Sequence, residues 1–440
     1  MQFEKFNYTS LKSIKLKTQE FGVNLPLSKN INVLKEPLQI GSKVLNNRIA
    51  IQPMEGCDGT FDGRPDDLTF RRYNRFAKSG AGLIWAEATA IVPEGRANPR
   101  QLMINNDNLS DIQRLVDNIK ETSMRENGFS PMIICQLAHS GRYSKPQGIP
   151  APLIAYHNYI FEEKHPISDD RLVSDDYLES LEEIYGKSAQ LAQKAGFDGA
   201  DIKCCHRYLL SELLSAHKRE GRYGGSFGHR TRLLRHAVKN AQDATSNGFI
   251  ITSRLNLYDG FPYPNGFGVD DTGSPLPNLT ESIKLVDILH NELKVPLLNF
   301  TIGNPYFNPH VNRPYDNGEY IPPEHPLEGV SRMFLCIGAV SEKFPKLKVI
   351  SSGHSYLREF SPYLAAGAIE MGISDIAGFG REAFAYPEFP NEIFKNGRME
   401  HKKCCISCGK CTELMRSGKV AGCVVRDSEI YLPIYKEKNL

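Results

Sequence analysis

A short apolar strand runs directly into a group of titratable residues near the middle of this 440-residue chain. In the stretch DGADIKCCHRY, Lys203, His206 and Tyr208 follow the strand within six residues. An ammonium, an imidazole and a phenol that converge above the end of a strand can hold and protonate a substrate. Each residue alone could instead cap the strand or lie at the edge of the core, but the group of three favours a catalytic site.

A second group of chemically active residues lies close to the C-terminus. Cys405, Cys408, Cys411 and Cys423 form a C-x2-C-x2-C-x11-C pattern. Three thiolates at this spacing can point into one cavity, and a fourth that follows a short helix completes the ligand shell of a [4Fe-4S] cluster. A zinc site, which more often uses two separated C-x2-C pairs, is the alternative. Cys404 adjoins Cys405 and could replace it, so the pattern leaves that ligand open.

Repeating elements provide the frame for both groups. Eight short apolar segments alternate with amphipathic segments, and this alternation predicts a parallel sheet. The predicted strands are residues 49–54, 82–88, 132–137, 199–203, 249–255, 296–302, 348–353 and 375–380. The predicted helices are residues 68–79, 109–126, 177–195, 230–247, 280–293, 329–343 and 357–366, with a short helix from residue 381. Eight such units without a glycine-rich dinucleotide motif after the first strand favour an α/β fold of the (β/α)8 TIM barrel type over an open sheet.

The predicted barrel divides the chain into three parts. Residues 1–35 are interpreted as an N-terminal extension that caps the lower face, residues 36–398 as the barrel, and residues 399–440 as a small four-cysteine iron-sulfur segment. The C-terminal ends of barrel strands form the catalytic mouth, and the titratable residues fall there. Two long polar loops, residues 141–175 and 303–327, are expected to form walls or lids around it.

The composition excludes several classes of function. Lys and Arg together number 53 and Asp and Glu 51, so the chain lacks the charge excess that would attract nucleic acid or a membrane surface. The N-terminus lacks the apolar core of a secretory signal, and no segment has the uninterrupted apolar length of a membrane span, which predicts a cytoplasmic protein. Ten cysteines in such a chain are better explained as thiols or metal ligands than as disulfides.

Taken together, the motifs resemble the old yellow enzyme superfamily, in particular its 2,4-dienoyl-CoA reductase and trimethylamine dehydrogenase branch. The resemblance covers roughly residues 36–430. The motifs that carry it, in chain order, are NRIAIQPMEG, EATAIVPEGR, QLAHSGR, GFDGADIKCCHRYLLSELLS, YGGSFGHR, SRL and GFGREAFAYPEFPNE, followed by the cysteines. Each motif is weak alone, but their order is specific, and the resemblance implies an FMN-containing barrel.

The resemblance also implies which residues would bind FMN at the barrel mouth. The expected set is the turn Gln52, Pro53, Met54 and Glu55, then Ala88, Gln136 against the pyrimidine ring, Arg254 near flavin N1, and Gly353, Gly380 and Arg381 around the phosphate. Glycines at helix N-termini and an arginine fork suit a phosphate dianion. A cation beside flavin N1 would stabilise the anionic reduced flavin.

For catalysis, the resemblance implies an ene-reductase. In the family an H-x-x-H/N pair binds the substrate carbonyl, and a tyrosine two residues later donates a proton. Here Lys203 takes the first place, His206 the second and Tyr208 the place of the proton donor. The expected substrate is an α,β-unsaturated carbonyl compound, such as a bulky, steroid-like enone. The lysine departs from the family pattern, and so does the cysteine cluster, in which the reductase branch has one more residue between the second and third cysteines.

The reductant and the direction of the reaction stay open. Relatives with the cluster continue into flavodoxin-like and dinucleotide-binding domains, whereas this sequence ends at Leu440, so we expect no built-in NAD(P)H reductase module. Either NAD(P)H acts at the FMN directly, or a separate flavoprotein or ferredoxin delivers electrons through the cluster. An amine dehydrogenase-like oxidation and a non-catalytic flavin electron-transfer subunit are the alternatives. The sequence does not decide whether the chain forms homo-oligomers.

Overall fold

A closed barrel of eight parallel strands forms the body of the molecule. The computed structural model describes residues 5–315 and 320–438. The strands in chain order are β1 (Leu38–Ile40), β2 (Lys43–Leu45), β3 (Ile49–Ile51), β4 (Leu83–Ala90), β5 (Met132–Ala138), β6 (Gly199–Ile202), β7 (Ile250–Asn256), β8 (Leu297–Thr301), β9 (Lys348–Ser351) and β10 (Ile376–Phe379). Strands β3 to β10 pair in sequence, β10 returns to pair with β3, and β1 and β2 form a separate antiparallel hairpin. The predicted (β/α)8 barrel is confirmed.

Helices surround the barrel and fill its longer connections. They are α1 (Leu11–Glu20), α2 (Asp67–Ala77), α3 (Leu109–Asn127), α4 (Tyr159–Glu162), α5 (Asp175–Lys194), α6 (Leu209–Leu213), α7 (Phe227–Arg230), α8 (Arg232–Ala244), α9 (Thr280–Asp287), α10 (Pro309–Asn312), α11 (Pro326–Ser341), α12 (Ser361–Glu370), α13 (Arg381–Ala385), α14 (Phe389–Asn396), α15 (Lys410–Arg416) and α16 (Ser428–Lys438). Every predicted helix is present, as α2, α3, α5, α8, α9, α11, α12 or α13. None of the helices in the described ranges is both long and apolar enough to span a bilayer.

The amphipathic pattern explains how the helices pack on the barrel. In α5, Leu178, Leu181 and Tyr185 are completely buried, and the helix packs against α8 and β6. Ser174 caps the first turn by accepting a hydrogen bond from the Tyr177 N–H at 3.1 Å. Burial of one large apolar side chain contributes roughly 1.5–3 kcal/mol, so the buried face is what holds this helix in place.

The hairpin, and not the N-terminal extension, covers the lower end of the barrel. Leu38, Ile40 and Leu45 pack with apolar side chains from the barrel strands, including Trp85 and Met132. The prediction that residues 1–35 cap this face is wrong. The apolar side chains of the extension that form a cluster with α11 and α12 are Phe6, Tyr8, Ile14, Leu25 and Leu27. The alternating apolar residues of the hairpin match the apolar ring that the strand ends present.

The two long loops and the C-terminal part lie around the opposite end. Residues 141–175 contain α4 and two short 3-10 turns, and residues 303–327 contain α10, with residues 316–319 lying outside the described ranges. Helices α15 and α16 share an apolar cluster that includes Leu414, Val424 and Tyr431. Asp427 accepts two hydrogen bonds of 2.8 Å from Arg71 of α2, which ties this part of the chain to the barrel.

Candidate active site

A cavity of about 1030 Å³ lies at the C-terminal ends of the barrel strands. Ten residues that the sequence predicts for the site line it: Gln52, Pro53, Met54, Glu55, His206, Tyr208, Arg254, Gly353, Gly380 and Arg381. Lys203, Ala88 and Gln136 do not belong to this wall. The barrel thus brings together side chains that are more than three hundred residues apart in the chain, such as Gln52 and Arg381, at the end where the strand termini meet.

Glycines shape one side of the cavity by keeping side chains out of it. A Cβ atom at Gly378 would lie 2.0 Å from Gln52 Nε2, and one at Gly380 would lie 3.0 Å from Met54 Sδ. Gly353 has a φ of +93°, which side chains rarely allow, and its Cβ would lie 2.7 Å from Met333 Sδ. Near the ends of β9 and β10 the chain therefore presents bare backbone to the cavity, and a ligand can approach it closely.

Gln52 is held in one orientation by neighbouring polar groups. Its Nε2 donates to Asn299 Oδ1 at 3.1 Å and to Ser352 Oγ at 3.1 Å. Asn299 Nδ2 donates in return to Gln52 Oε1 at 2.7 Å. The paired amides therefore fix the orientation of the Gln52 side chain in the turn that follows β3.

Three arginines make the cavity electropositive. Arg254, Arg313 and Arg381 all line it, and the Nε atoms of Arg254 and Arg313 have no hydrogen-bond partner in the described part of the chain. Burial lowers the pKa of Arg254, and burial together with the nearby Arg381 lowers the pKa of Arg313 to about 10. Buried polar groups without partners are costly, so this arrangement fits an anionic ligand such as a phosphate.

Arg313 is the residue that sequence reasoning missed. It lies directly after α10, in the long loop after β8, and reaches the cavity from there. Its surroundings in the sequence, VNRPYDN, are ordinary for a polar loop, and no spacing connects it to the strands. Only the three-dimensional path of the loop brings this cation to the site.

Tyr208 and Lys203 share one carboxylate oxygen of Glu55. The Tyr208 hydroxyl donates to Glu55 Oε1 at 3.1 Å, and Lys203 Nζ lies 3.2 Å from the same oxygen. Lys203 Nζ also lies 3.7 Å from the centroid of the Tyr208 ring, and its side chain is only 3% exposed. Burial and the charge of Glu55 raise the pKa of Tyr208 well above its ordinary value of 10, so the phenol stays protonated at neutral pH.

His206 faces the cavity as a neutral imidazole. Its Nε2 has no hydrogen-bond partner among the described residues. Burial, with the positive charges of Arg254 and Lys203, lowers the pKa of His206 well below its ordinary value of 6.5. His206 and Arg207 have φ angles of 62° and 61°, so the backbone of this turn is strained. An ion pair of 2.9 Å between Arg207 and Asp259 holds the turn in place.

Gln136 and Ala88 are buried in the strands outside the cavity wall. Gln136 Nε2 donates to Asp201 Oδ2 at 2.6 Å, and Ala88 pairs in register with Gln136 across β4 and β5. Asp201 Oδ1 also accepts a hydrogen bond of 2.6 Å from the backbone N–H of Arg254, so this carboxylate helps to position the arginine. Contact of Gln136 and Ala88 with a cofactor stays a prediction.

A smaller cavity of about 360 Å³ adjoins the first, and the four predicted cysteines line it: Cys405, Cys408, Cys411 and Cys423. Cys404 is absent from this wall, and its Sγ lies 3.4 Å from the Glu400 carbonyl oxygen. Cys411, Arg381 and Phe384 line both cavities. Within residues 5–315 and 320–438, no three His, Cys, Asp or Glu side chains are arranged so that they could hold a metal ion. The thiols therefore share a cavity without forming a preassembled metal site.

A third cavity, of about 1090 Å³, opens on the other side of Glu55. Tyr143 and Tyr306 lie in its wall with their rings stacked at 3.9 Å, and Lys145 and Arg416 add positive charge. Glu55, Tyr306 and Met415 line both this cavity and the first. The two cavities thus meet at Glu55.

Comparison with known proteins identifies relatives for most of the chain. Residues 33–275 match the model of the NADH:flavin oxidoreductase / NADH oxidase family. The NADPH dehydrogenase of Geobacillus thermodenitrificans is 30% identical over 262 residues, which are 58% of this chain and 72% of that protein. The cinnamate reductase of Clostridium sporogenes is 24% identical over 426 residues, which are 89% of this chain and 57% of that protein. The chain therefore spans a little more than half the length of this second relative.

A solved structure agrees on the fold. 2-Naphthoyl-CoA reductase in complex with 2-naphthoyl-CoA superposes with a TM-score of 0.74 at 19% sequence identity. The match covers 93% of this chain and 58% of the other. At this identity the likeness concerns the fold alone.

Proposed function

The chain belongs to the NADH:flavin oxidoreductase / NADH oxidase family and is a flavin oxidoreductase, and we propose that it is an FMN- and [4Fe-4S]-dependent ene-reductase. Its substrate would be an α,β-unsaturated carbonyl compound. The observation that carries the proposal is that Tyr208, protonated, and His206, neutral and unpartnered at Nε2 in the described chain, line one electropositive cavity. A proton donor beside a hydrogen-bonding group is what reduction of a conjugated C=C bond requires.

The cavity fits FMN in both shape and charge. The bare backbone at Gly353 and Gly380 leaves room for a phosphate, and Arg381 and Arg313 would balance its charge. Arg254, whose Nε has no partner in the described chain, would lie near the electron-rich edge of the flavin. When bound, reduced FMN would supply the hydride for the reaction.

The side chains around the cavity would divide the remaining chemistry. Tyr208 would donate its hydroxyl proton to the α-carbon of the substrate. His206, with a proton on Nε2, would donate a hydrogen bond to the carbonyl oxygen and stabilise the negative charge that develops there. Lys203, expected from the sequence to polarise the same carbonyl, contacts Glu55 and the Tyr208 ring, and its charge would act on the substrate through the tyrosine.

The four cysteines support the proposed cluster. Cys405, Cys408, Cys411 and Cys423 would hold the [4Fe-4S] cluster, which would supply one-electron transfer beside the flavin cavity because Cys411 lines both. NAD(P)H, a flavoprotein or a ferredoxin would then serve as the source of electrons. The absence of Cys404 from this wall favours Cys405 as the ligand at the first position.

The shape of the site favours a bulky, partly apolar enone. Tyr306 lines the first cavity and stacks on Tyr143, so an aromatic or steroid-like body can pack beside the reacting bond. One relative carries the name cinnamate reductase, which agrees with a conjugated carbonyl compound. Three arginines in the wall disfavour a cationic amine, and this argues against an amine dehydrogenase.

An oxygen-free mixing experiment tests the proposal. The FMN-loaded protein is reduced chemically and mixed with a panel of enones, and the oxidised protein is mixed with a panel of amines. We expect enones to reoxidise the flavin with formation of saturated product, whereas amines leave the oxidised flavin unchanged. Reduction of the flavin by amines, with no response to any enone, would show that the reaction runs in the other direction.

A further inference from the structure

Glu55 occupies the boundary between two cavities. Its side chain is 11% exposed and lines both the first cavity and the third, whereas Tyr208 lines only the first. The third cavity faces solvent, because Gly148, Arg416 and Ser417 of its wall are exposed. A carboxylate in this place lies between the buried phenol of Tyr208 and the solvent-facing wall of the third cavity.

The contacts of Glu55 suit proton transfer to Tyr208. The two oxygen atoms lie 3.1 Å apart, within the range of an ordinary hydrogen bond. Lys203 Nζ contacts the same Glu55 oxygen at 3.2 Å, so an ammonium is present to offset the negative charge of the pair. The Tyr208 hydroxyl also lies 3.4 Å from the hydroxyl of Tyr306.

We propose that Glu55 is a proton relay that restores the hydroxyl of Tyr208 after each turnover, an inference that rests on the proposed ene-reductase function. When Tyr208 has given its proton to the substrate, a phenolate and a carboxylate face each other across 3.1 Å. Glu55 then takes a proton from a hydronium ion or a buffer acid that reaches it through the third cavity, which leaves water or the buffer's conjugate base in solution. The new carboxyl O–H bond breaks as the Tyr208 O–H bond forms, and the carboxylate is regenerated. One solvent proton enters the product per turnover.

The acidity of the neighbouring groups decides between Glu55 and Tyr306 as the donor. A carboxylic acid is a far stronger acid than a phenol, so transfer from Glu55 to the phenolate is strongly downhill. Burial and the charge of Glu55 raise the pKa of Tyr306, which makes Tyr306 a poorer donor still. Lys203 bonds to Glu55 and lies over the face of the Tyr208 ring, where its positive charge would stabilise the phenolate.

The Glu55→Gln variant separates proton delivery from the other functions of the site. Glutamine keeps a hydrogen-bond acceptor for Tyr208 but cannot carry a proton. We expect the first turnover of the chemically reduced variant with an enone to proceed within about threefold of the wild-type rate, since Tyr208 starts protonated. Steady-state turnover should fall by about 10²-fold, the effect of losing a proton-transfer group. Added acetic or formic acid should restore turnover in the variant and leave the wild type unchanged.

A matched control is Glu94→Gln. Glu94 also accepts a hydrogen bond from a tyrosine, Tyr177, at 2.9 Å, but it is exposed and lines none of the three cavities. Its replacement should change neither phase of the reaction. FMN content and circular dichroism establish that both variants are folded.

A relay and a purely positioning role for Glu55 give different results. If the first turnover and the steady state of Glu55→Gln fall equally and weak acids do not help, Glu55 only positions its neighbours, and the relay is overturned. Unchanged steady-state turnover overturns it as well. If the wild type reduces no enone, the proposed ene-reductase function is wrong, and the Tyr208–Glu55 contact is tested separately.

That test titrates the tyrosinate absorption of the wild type and of Glu55→Gln, in which Tyr208 should ionise at lower pH. The same titration curve for both proteins would overturn the relay.

Discussion

In the proposed reaction the Tyr208 hydroxyl must be protonated at the start and must then give up that proton. Burial and the carboxylate of Glu55 raise the pKa of the phenol, so the hydroxyl is protonated before the reaction. The ammonium of Lys203 beside the ring and the imidazole of His206 in the cavity wall favour the negative charge that develops on the substrate. The chemistry of the site thus depends on a few contacts around one phenol.

Replacement of this phenol is the sharpest test at the residue scale. The Tyr208→Phe variant should bind FMN and accept electrons normally but lose about 10²- to 10⁴-fold in alkene turnover, as expected for a missing general acid. Steady-state rates and flavin content measure the two effects. Tyr177→Phe, at a tyrosine outside all three cavities, is the control and should retain full activity. Equal turnover of Tyr208→Phe and wild type would remove Tyr208 from the mechanism.

A buried histidine leads to a second prediction, which concerns the pH dependence of the free energy of unfolding. His354 is fully buried after β9, and burial lowers its pKa to about 3 from an ordinary 6.5. Because the folded-state pKa is depressed, the unfolded chain binds the proton first, and stability is lost as the pH falls below 6.5. This group alone should destabilise the protein by roughly 2 kcal/mol between pH 7 and pH 5.

Urea denaturation at both pH values measures that loss. The His354→Gln variant, whatever its stability at pH 7, should lose roughly 2 kcal/mol less than the wild type over this interval. An equal loss in the two proteins would mean that His354 is charged in the folded state.

At the scale of elements, the ends of barrel strands carry glycines at positions where a side chain would collide with the cavity wall. The Gly378→Ala substitution places a Cβ atom 2.0 Å from Gln52 Nε2 and 2.6 Å from the Ser351 carbonyl oxygen, both in the cavity wall or directly behind it. We expect a loss of about 1–3 kcal/mol in the free energy of unfolding, typical of overpacking, together with loss of bound FMN. Thermal unfolding and flavin content after gel filtration measure both.

Gly228→Ala is the control for this substitution, since a Cβ atom there meets nothing within 4 Å and its φ is not positive. It should leave stability and flavin content unchanged. Full FMN retention by Gly378→Ala would contradict the proposed position of the cofactor.

The C-terminal element makes a prediction about metal content. Cys405→Ser should lower iron and sulfide sharply after anaerobic purification, whereas Cys404→Ser should retain them, because only Cys405 lines the shared cavity. Elemental analysis and sulfide determination give the answer. Zinc in place of iron would show that the four cysteines form a zinc site. Equal losses of iron and sulfide in both variants would mean that the wall of this cavity does not define the ligands.

At the scale of the whole molecule, periodicity was enough to predict the barrel. Helices such as α5 carry an apolar face that only packing on a sheet can bury, and eight such units close into one barrel. The covering of its lower end was not predictable, because β1 and β2 have three residues each, which is too short for their apolar alternation to be recognised in the sequence. An extension with apolar residues of its own, including Ile14, was the more visible candidate.

Site residues at strand ends were predictable from the sequence. Residues that a loop carries, and contacts between side chains distant in the sequence, were not. Tyr208 and Arg254 follow from their places at strand ends, and both line the cavity. Arg313 was missed because a loop carries it. The pairing of Lys203 with Glu55 could not be inferred, since these residues are 148 positions apart and no sequence pattern links them.

The central claim is that this cavity reduces a conjugated C=C bond with a proton that reaches Tyr208 from solvent. Mass spectrometry of the product formed in deuterated water, with chemically reduced enzyme and no oxygen, tests it most directly. We predict a saturated carbonyl compound with one deuterium at the α-carbon, formed by the wild type and formed about 10²- to 10⁴-fold more slowly by Tyr208→Phe. Recovery of unchanged enone, or a saturated product without deuterium at that carbon, would contradict it.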